Sequence, residues 1–318
     1  MNRRPALPAV EALPSWVALA VASVGGVASA LQSAANAELG ERVGNASFGA
    51  VVNVLTGSAI VLVGLVVLPS MRHGLRALRH ARLPWWAYLG GVGGGLFVTI
   101  AAYAVPVVGV AVFTIAQVTG NSLGGLAVDR AGLAPAGRLP LTAPRVGGAL
   151  LGVAAVAIAQ VDRPIGDLAV DMLALGVLGG VAVALQGAFN GRVSAASTTP
   201  AGTAVNFAGA LPTVLIAASL LGVLTSGWSS HLPTEWYLYS GGTLGVVIVV
   251  CLLVSVRAVG VLRTGLSVVA GQLGGALLLD ALIPGGPGAS PALLAGAALT
   301  VAAVAVAGRG SRRPDRSP

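Results

Sequence analysis

Two glutamine–asparagine pairs are the residues of this sequence best suited to chemistry in an apolar setting. Gln32 and Asn36 lie four residues apart in GGVASALQSAAN, and Gln186 and Asn190 repeat that spacing in GGVAVALQGAFN. Residues four apart share one face of a helix. Each amide donates and accepts, so in a water-free setting each needs partners. Two uses follow: bridging neighbouring helices, at about 1 kcal/mol per contact, or lining a cavity that binds a polar solute. The single amides Asn53, Asn206, Asn121 and Gln272 are candidates for the same two uses. Glu38, two residues past Asn36, is the acid nearest to a polar pair and the candidate for proton or ion coupling. The first helix is expected to end there, which also suits a place in water at the extracellular rim. Asp129 and Asp280 are read as interfacial anchors at two helix ends.

Other chemistries lack their residues. There is no H-E-x-x-H, His73, His80 and His231 fall in connectors, and Ser267 has no histidine in any helix to act as a base. No catalytic residue, metal site or cofactor is therefore expected. Cys251 stands alone in an apolar run and cannot form an internal disulfide. The cluster GGVGGGLF lacks the full dinucleotide-binding spacing and follows no strand. Gly90/Gly94 and Gly91/Gly95 suit close helix packing instead.

The elements that must position these amides are apolar. Of 318 residues, 56% are hydrophobic and 9% charged, and the mean hydropathy is +0.89. A membrane-crossing helix needs roughly 20 apolar residues; ten runs approach that length, so an all-α integral membrane protein is expected. The net charge of +8 comes from arginines in connectors and tails, a pattern of membrane topology and not of nucleic-acid binding. Arg3 and Arg4 before an apolar run imitate a secretory leader, but its cleavage region is the segment copied at 179–190, so no cleavage is expected.

Helices are expected at about 15–37, 47–68, from Pro84 with Trp85, Trp86 and Tyr88, on to Val128 after a turn at Pro106 and Gly109, and at 146–160. The second series covers 168–190, from Ala201, from Trp236, 262–283 and 291–307. Pro212 should kink or break the seventh. The connector MRHGLRALRHAR suits a short amphipathic helix on an anionic leaflet, or a plain positive-inside loop.

The second series repeats the first. A shift of 154 pairs Gln32 with Gln186 and Asn36 with Asn190; 153 pairs Asn53 with Asn206; 151 pairs Trp85 with Trp236, Gly94 with Gly245, Gly109 with Gly260, Gly120 with Gly271 and Asp129 with Asp280. Five helices per copy is an odd number, so the second copy enters the membrane from the other side. With the N-terminus inside, sixteen of the eighteen arginines are cytoplasmic and only Arg42 and Arg163 are not. The expected order is a cytoplasmic segment 1–14, a five-helix repeat 15–161, an extracellular linker 162–168, an inverted repeat 169–307 and a disordered cytoplasmic tail 308–318.

On ALQSAANAELGERVGN, ALQGAFNGRV, the W-x-x-Y-x-G-G-x-x-G segments at Trp85 and Trp236, and GQLGGALLLD, the sequence resembles the YdcZ-type branch of the drug/metabolite transporter superfamily in a fused two-copy form. The resemblance implies a multi-pass protein of the cytoplasmic membrane, of the EamA-like fold, with a transport role. Two positions depart from the repeat: Gly271-Gln272 answers to Gly120-Asn121, with Gln117 one turn earlier, and Glu38 answers to Arg192. The function expected is secondary transport of a small polar or amphipathic metabolite by alternating access, with the bilayer as partner. A membrane scaffold or accessory subunit is the alternative. A passive channel is a third, although no ring of charges is present to select ions.

Overall fold

The computed structural model describes residues 13–45, 47–159, 161, 170–220, 232–282 and 290–309. Among them the secondary structure is entirely helical: α1 (Ser15–Val43), α2 (Phe48–Val67), α3 (Pro69–Leu78), α4 (Gly90–Ala131), α5 (Ala143–Ala159), α6 (Val170–Ala195), α7 (Thr199–Leu220), α8 (Gly241–Val259), α9 (Val261–Leu282) and α10 (Pro291–Arg309). In hydrocarbon a helix satisfies its own backbone, which is why apolar runs of this length take that form. Eight stretches are long and apolar enough to cross a bilayer; α5 is apolar but shorter. Large apolar side chains face outward, as at Leu62, Val66, Leu150 and Leu220, while Trp16, Trp85 and Trp236 stand exposed at helix starts. That is the distribution of a lipid-facing surface with interfacial aromatics. The expected linker 162–168 lies outside the described residues, as do most of the expected terminal segments.

Several expected boundaries move. α1 does not stop at Ala37 but continues to Val43, because Glu38 and Arg42 pair along its last turns and Gly44, at φ +75°, caps it in the left-handed conformation. α6 likewise runs on to Ala195. The Trp85 and Trp236 segments form short 3₁₀ turns, and the α-helices proper begin at Gly90 and Gly241. α7 passes through Pro212 unbroken, held on either side of the proline by the buried Ala210 and Val214. The 69–78 connector does form an amphipathic helix. Met71, Gly74 and Leu78 are buried, and the face carrying Gly74 lies against Thr198 and Ala201 at the start of α7. Arg72 folds back onto the carbonyls of Leu65 and Val66 at the end of α2.

α4 is helical throughout Gly90–Ala131, yet it reverses direction near the turn expected at Pro106 and Gly109. It is not a straight rod. Its 42 residues would extend about 63 Å, yet the rings of Phe97 and Phe113 lie 6.2 Å apart. Gly94 meets Gln186 and Gly120 meets Val177 on the same partner helix. The chain therefore doubles back between Ala104 and Phe113, giving α4 two arms that both pack on α6.

The packing seams are built on glycine. Cβ atoms placed on Gly26 and Gly271 would lie 2.1 and 2.0 Å from the carbonyl oxygens of Val268 and Ser23, so α1 and α9 cross backbone to backbone. Gly180 and Gly120 make the same crossing between α6 and the second arm of α4, at 2.0 and 1.9 Å from the carbonyls of Gln117 and Val177. These are the positions that the sequence offsets pair. α1 thus packs between α8 and α9 as α6 packs between the two arms of α4.

Candidate functional site

The amides lie along the glycine seams. Gln32 donates to the carbonyl of Gly241 at 2.7 Å and to Asn53 Oδ1 at 3.4 Å. In the other half, Gln186 and Asn190 both donate to Asn206 Oδ1, at 2.9 and 2.7 Å. Each stripe faces two glycines. A Cβ on Gly241 would fall 2.3 Å from Asn36 Oδ1 and one on Gly245 2.8 Å from Gln32 Nε2; Gly90 and Gly94 stand likewise at 2.2 Å from Asn190 Oδ1 and 2.4 Å from Gln186 Nε2. Missing side chains make room for the amides. The small-xxx-small spacing read as helix packing therefore also seats polar groups.

A cavity of about 160 Å³ lies among α1, α2, α6, α7, α8, α9 and both arms of α4. Six of the eight expected amides line it: Gln32, Asn53, Asn121, Gln186, Asn206 and Gln272. Asn36 and Asn190 do not; each sits one turn farther along its helix, against Gly241 and Gly90. Gln272 donates to Ser29 Oγ at 2.9 Å. Ser29 and Gln117 complete the polar lining and were not expected in the site. A signal for Gln117 existed: Gln117 and Asn121 form a third glutamine–asparagine pair at the spacing of the other two. The remaining lining is apolar, including Phe97, Phe207 and Leu252, and no charged residue or histidine contributes to it.

The charges are held at the two ends of the molecule. Glu38 lies outside the cavity in an exposed cluster, paired with Arg42, which also binds Glu235. The Tyr237 hydroxyl donates to Glu38 at 3.3 Å. The Glu235 carboxyl is held below the usual carboxylate range, first by its own backbone N–H and then by the Arg42 guanidinium. At the other end Arg192 donates to the carbonyls of Gly132 and Leu133, both at 2.6 Å, and lies 5.4 Å over the Trp86 ring.

Asp129, read from the sequence as an interfacial anchor, is buried inside the protein. It takes a 2.6 Å bond from Arg145, which sits inside α5 and is buried as well. The same carboxylate accepts the first backbone N–H groups of α9, from Val261 at 3.0 Å and Leu262 at 3.2 Å. Gly260, at φ +81°, makes the break that exposes those groups, and a side chain there would approach the Asp129 oxygens. A carboxylate at a helix N-terminus meets both unpaired donors and the positive end of the dipole. Val261 also lines the cavity, so this cap fixes one of its walls. Among the described residues no cluster of His, Cys, Asp and Glu could hold a metal ion.

The apolar exterior, the helices of membrane-crossing length and the buried polar cavity define a polytopic helical membrane protein. A family model described as "Putative inner membrane exporter, YdcZ" matches twice, over residues 17–158 and 172–306, and the chain belongs to that family. No curated protein matches it at a significant level. A protein of known crystal structure is similar to it at 20% identity, over 94% of this chain and 98% of its own, with a TM-score of 0.65; at that identity the likeness concerns the fold.

Proposed function

We propose that this protein is a secondary transporter carrying a small polar or amphipathic solute across the inner membrane by alternating access. One observation carries the reading: a cavity whose amides come from both repeats, Gln32 and Asn53 from the first and Gln186, Asn206 and Gln272 from the second. Ten crossings follow if α5 and the second arm of α4 span the bilayer with the eight longer stretches. Packing directions support an inverted repeat. α1 runs against α8, since Gly25 meets Cys251 and Gln32 meets Gly241. α7 also runs against α8, with Gly202 near Leu253 and Phe207 near Gly245, and α6 forms a hairpin with α7. α1 and α6 then point in opposite directions, the relation from which two access states arise around one site.

The arginine distribution supports cytoplasmic termini. A fluorescent reporter joined after Pro318 is expected to fold and fluoresce in the cytoplasm, while a periplasm-dependent phosphatase joined there stays inactive. The opposite pattern would reverse the orientation.

Transport is tested by solute counterflow in liposomes carrying the purified protein, with Asn206→Leu as the variant. Asn206 Oδ1 takes two amide donors, and leucine strands both. The expected result is abolished flux together with a stability loss of about 1–2 kcal/mol. The same bonds favour a second reading, in which the amides only hold α6 to α7 in a membrane scaffold. That reading predicts the stability loss with no flux in either protein.

A further inference from the structure

Most of the cavity's amides are already engaged. The Gln32, Gln186 and Gln272 amide nitrogens donate to Gly241, Asn206 and Ser29, and Asn206 Oδ1 receives two donors. Gln117 and Asn121 differ. Both are only 8% exposed, both line the cavity, and among the described residues neither side chain makes a hydrogen bond. They stand one turn apart on the second arm of α4, so their two amides form a single edge. Gly265 opposite leaves room for it: a Cβ there would lie 2.5 Å from Asn121 Nδ2. Their counterparts in the second repeat are Val268 and Gln272, so the edge is found on one side of the cavity only.

Amide groups that reach a cavity without a protein partner are open to a ligand that supplies the complementary donor and acceptor. We infer that Gln117 and Asn121 are the recognition edge of the cavity, and that it takes an uncharged, ring-sized solute bearing a carboxamide- or lactam-like pair of donor and acceptor. This deepens the transport reading and rests on it. The absence of charge follows from the lining: no residue there would compensate a buried ion, and an uncompensated ion is strongly disfavoured. The size follows from the volume of about 160 Å³, since an apolar cavity of about 150 Å³ holds benzene. The apolar part of such a solute would meet Phe97, Phe207 and Leu252, and its polar edge the two free amides.

Benzamide, benzoate and toluene are the probes, measured by calorimetry on the full chain in detergent at neutral pH. Benzamide is expected to bind, and benzoate at least about tenfold more weakly. Gln117→Leu and Asn121→Leu are each expected to weaken benzamide roughly threefold to tenfold while leaving toluene unaffected or tighter. Retained toluene binding shows that these variants are folded. Gly265→Ala should weaken benzamide as well, by displacing the Asn121 amide without removing it. No benzamide binding, equal binding of benzoate, or benzamide affinity unchanged in all three variants overturns the inference. The transport reading fails separately. If the binding results hold and counterflow is absent, recognition stands and transport falls; if counterflow is present but insensitive to Gln117→Leu and Asn121→Leu, the edge falls and transport stands.

Discussion

Asp129→Ala is expected to lower the stability of the detergent-solubilised protein by about 3–5 kcal/mol, the usual cost of breaking a buried ion pair from one side. Three things are lost together. Arg145 keeps its charge but loses its carboxylate, and its Nε and Nη1 already have no partner among the described residues. The N–H groups of Val261 and Leu262 lose their cap. The end of α9 that walls the cavity then has nothing polar to hold it beside α4. Asp129→Leu combined with Arg145→Leu should recover much of the loss, because a buried pair replaced by apolar groups is often neutral. About 1 kcal/mol should stay missing, the value of the cap. Denaturant titration of Asp129→Leu, Arg145→Leu and the double variant measures this as a coupling energy. A single-variant loss below about 1 kcal/mol would mean that the pair does not anchor this end.

The duplicated parts were legible because they carry two signals at once. Gln32 and Gln186 announce themselves by being polar in an apolar run, and their recurrence at one offset ties them to a structural role. Both line the cavity, with Asn53 and Asn206. Asp129 and Arg145 escaped because each sits where charge is ordinary, beside an arginine-rich connector, and nothing in their spacing reveals a partner on α9 more than a hundred residues away. Burial of a charge is a property of the fold, not of the neighbouring sequence. The extension of α1 past Ala37 was readable in principle: Glu38 and Arg42 at helical spacing, followed by Gly44, are the marks of a helix end.

The asymmetry between halves bears on mechanism. A strictly duplicated site would present the same groups to a solute from both repeats. Here Gln32 and Asn53 are answered by Gln186 and Asn206, whereas Gln117 is answered by Val268 and Asn121 by the engaged Gln272, and the charges at the two ends differ in kind. One end has the exposed Glu38, Arg42 and Glu235 cluster. The other has the dry Asp129–Arg145 pair with its backbone cap. Exposed pairs rearrange at little cost, whereas a buried pair resists separation. On the proposed alternating access, motion is therefore expected to be easier at the Glu38 end.

Gly180→Ala is expected to be among the most damaging single methyl additions in the described helices, with Gly120→Ala, Gly91→Ala, Gly271→Ala and Gly26→Ala. Elsewhere in a helix this exchange stabilises by up to about 1 kcal/mol, because alanine loses less backbone freedom on folding. At Gly180 the new methyl would lie 2.0 Å from the carbonyl oxygen of Gln117, and no rotamer change relieves a collision with backbone. The two helices must separate, at a typical cost of about 1–3 kcal/mol for overpacking. That separation carries Gln117 and Asn121 with it, so the damage reaches the cavity wall as well as the seam. Gly274→Ala on α9 is the control, since a Cβ there has nothing within 4 Å. Thermal unfolding should place Gly180→Ala well below the parent and Gly274→Ala at or above it. Equal midpoints for the two variants would mean that the seams yield to a methyl group and that glycine was not required for the crossing.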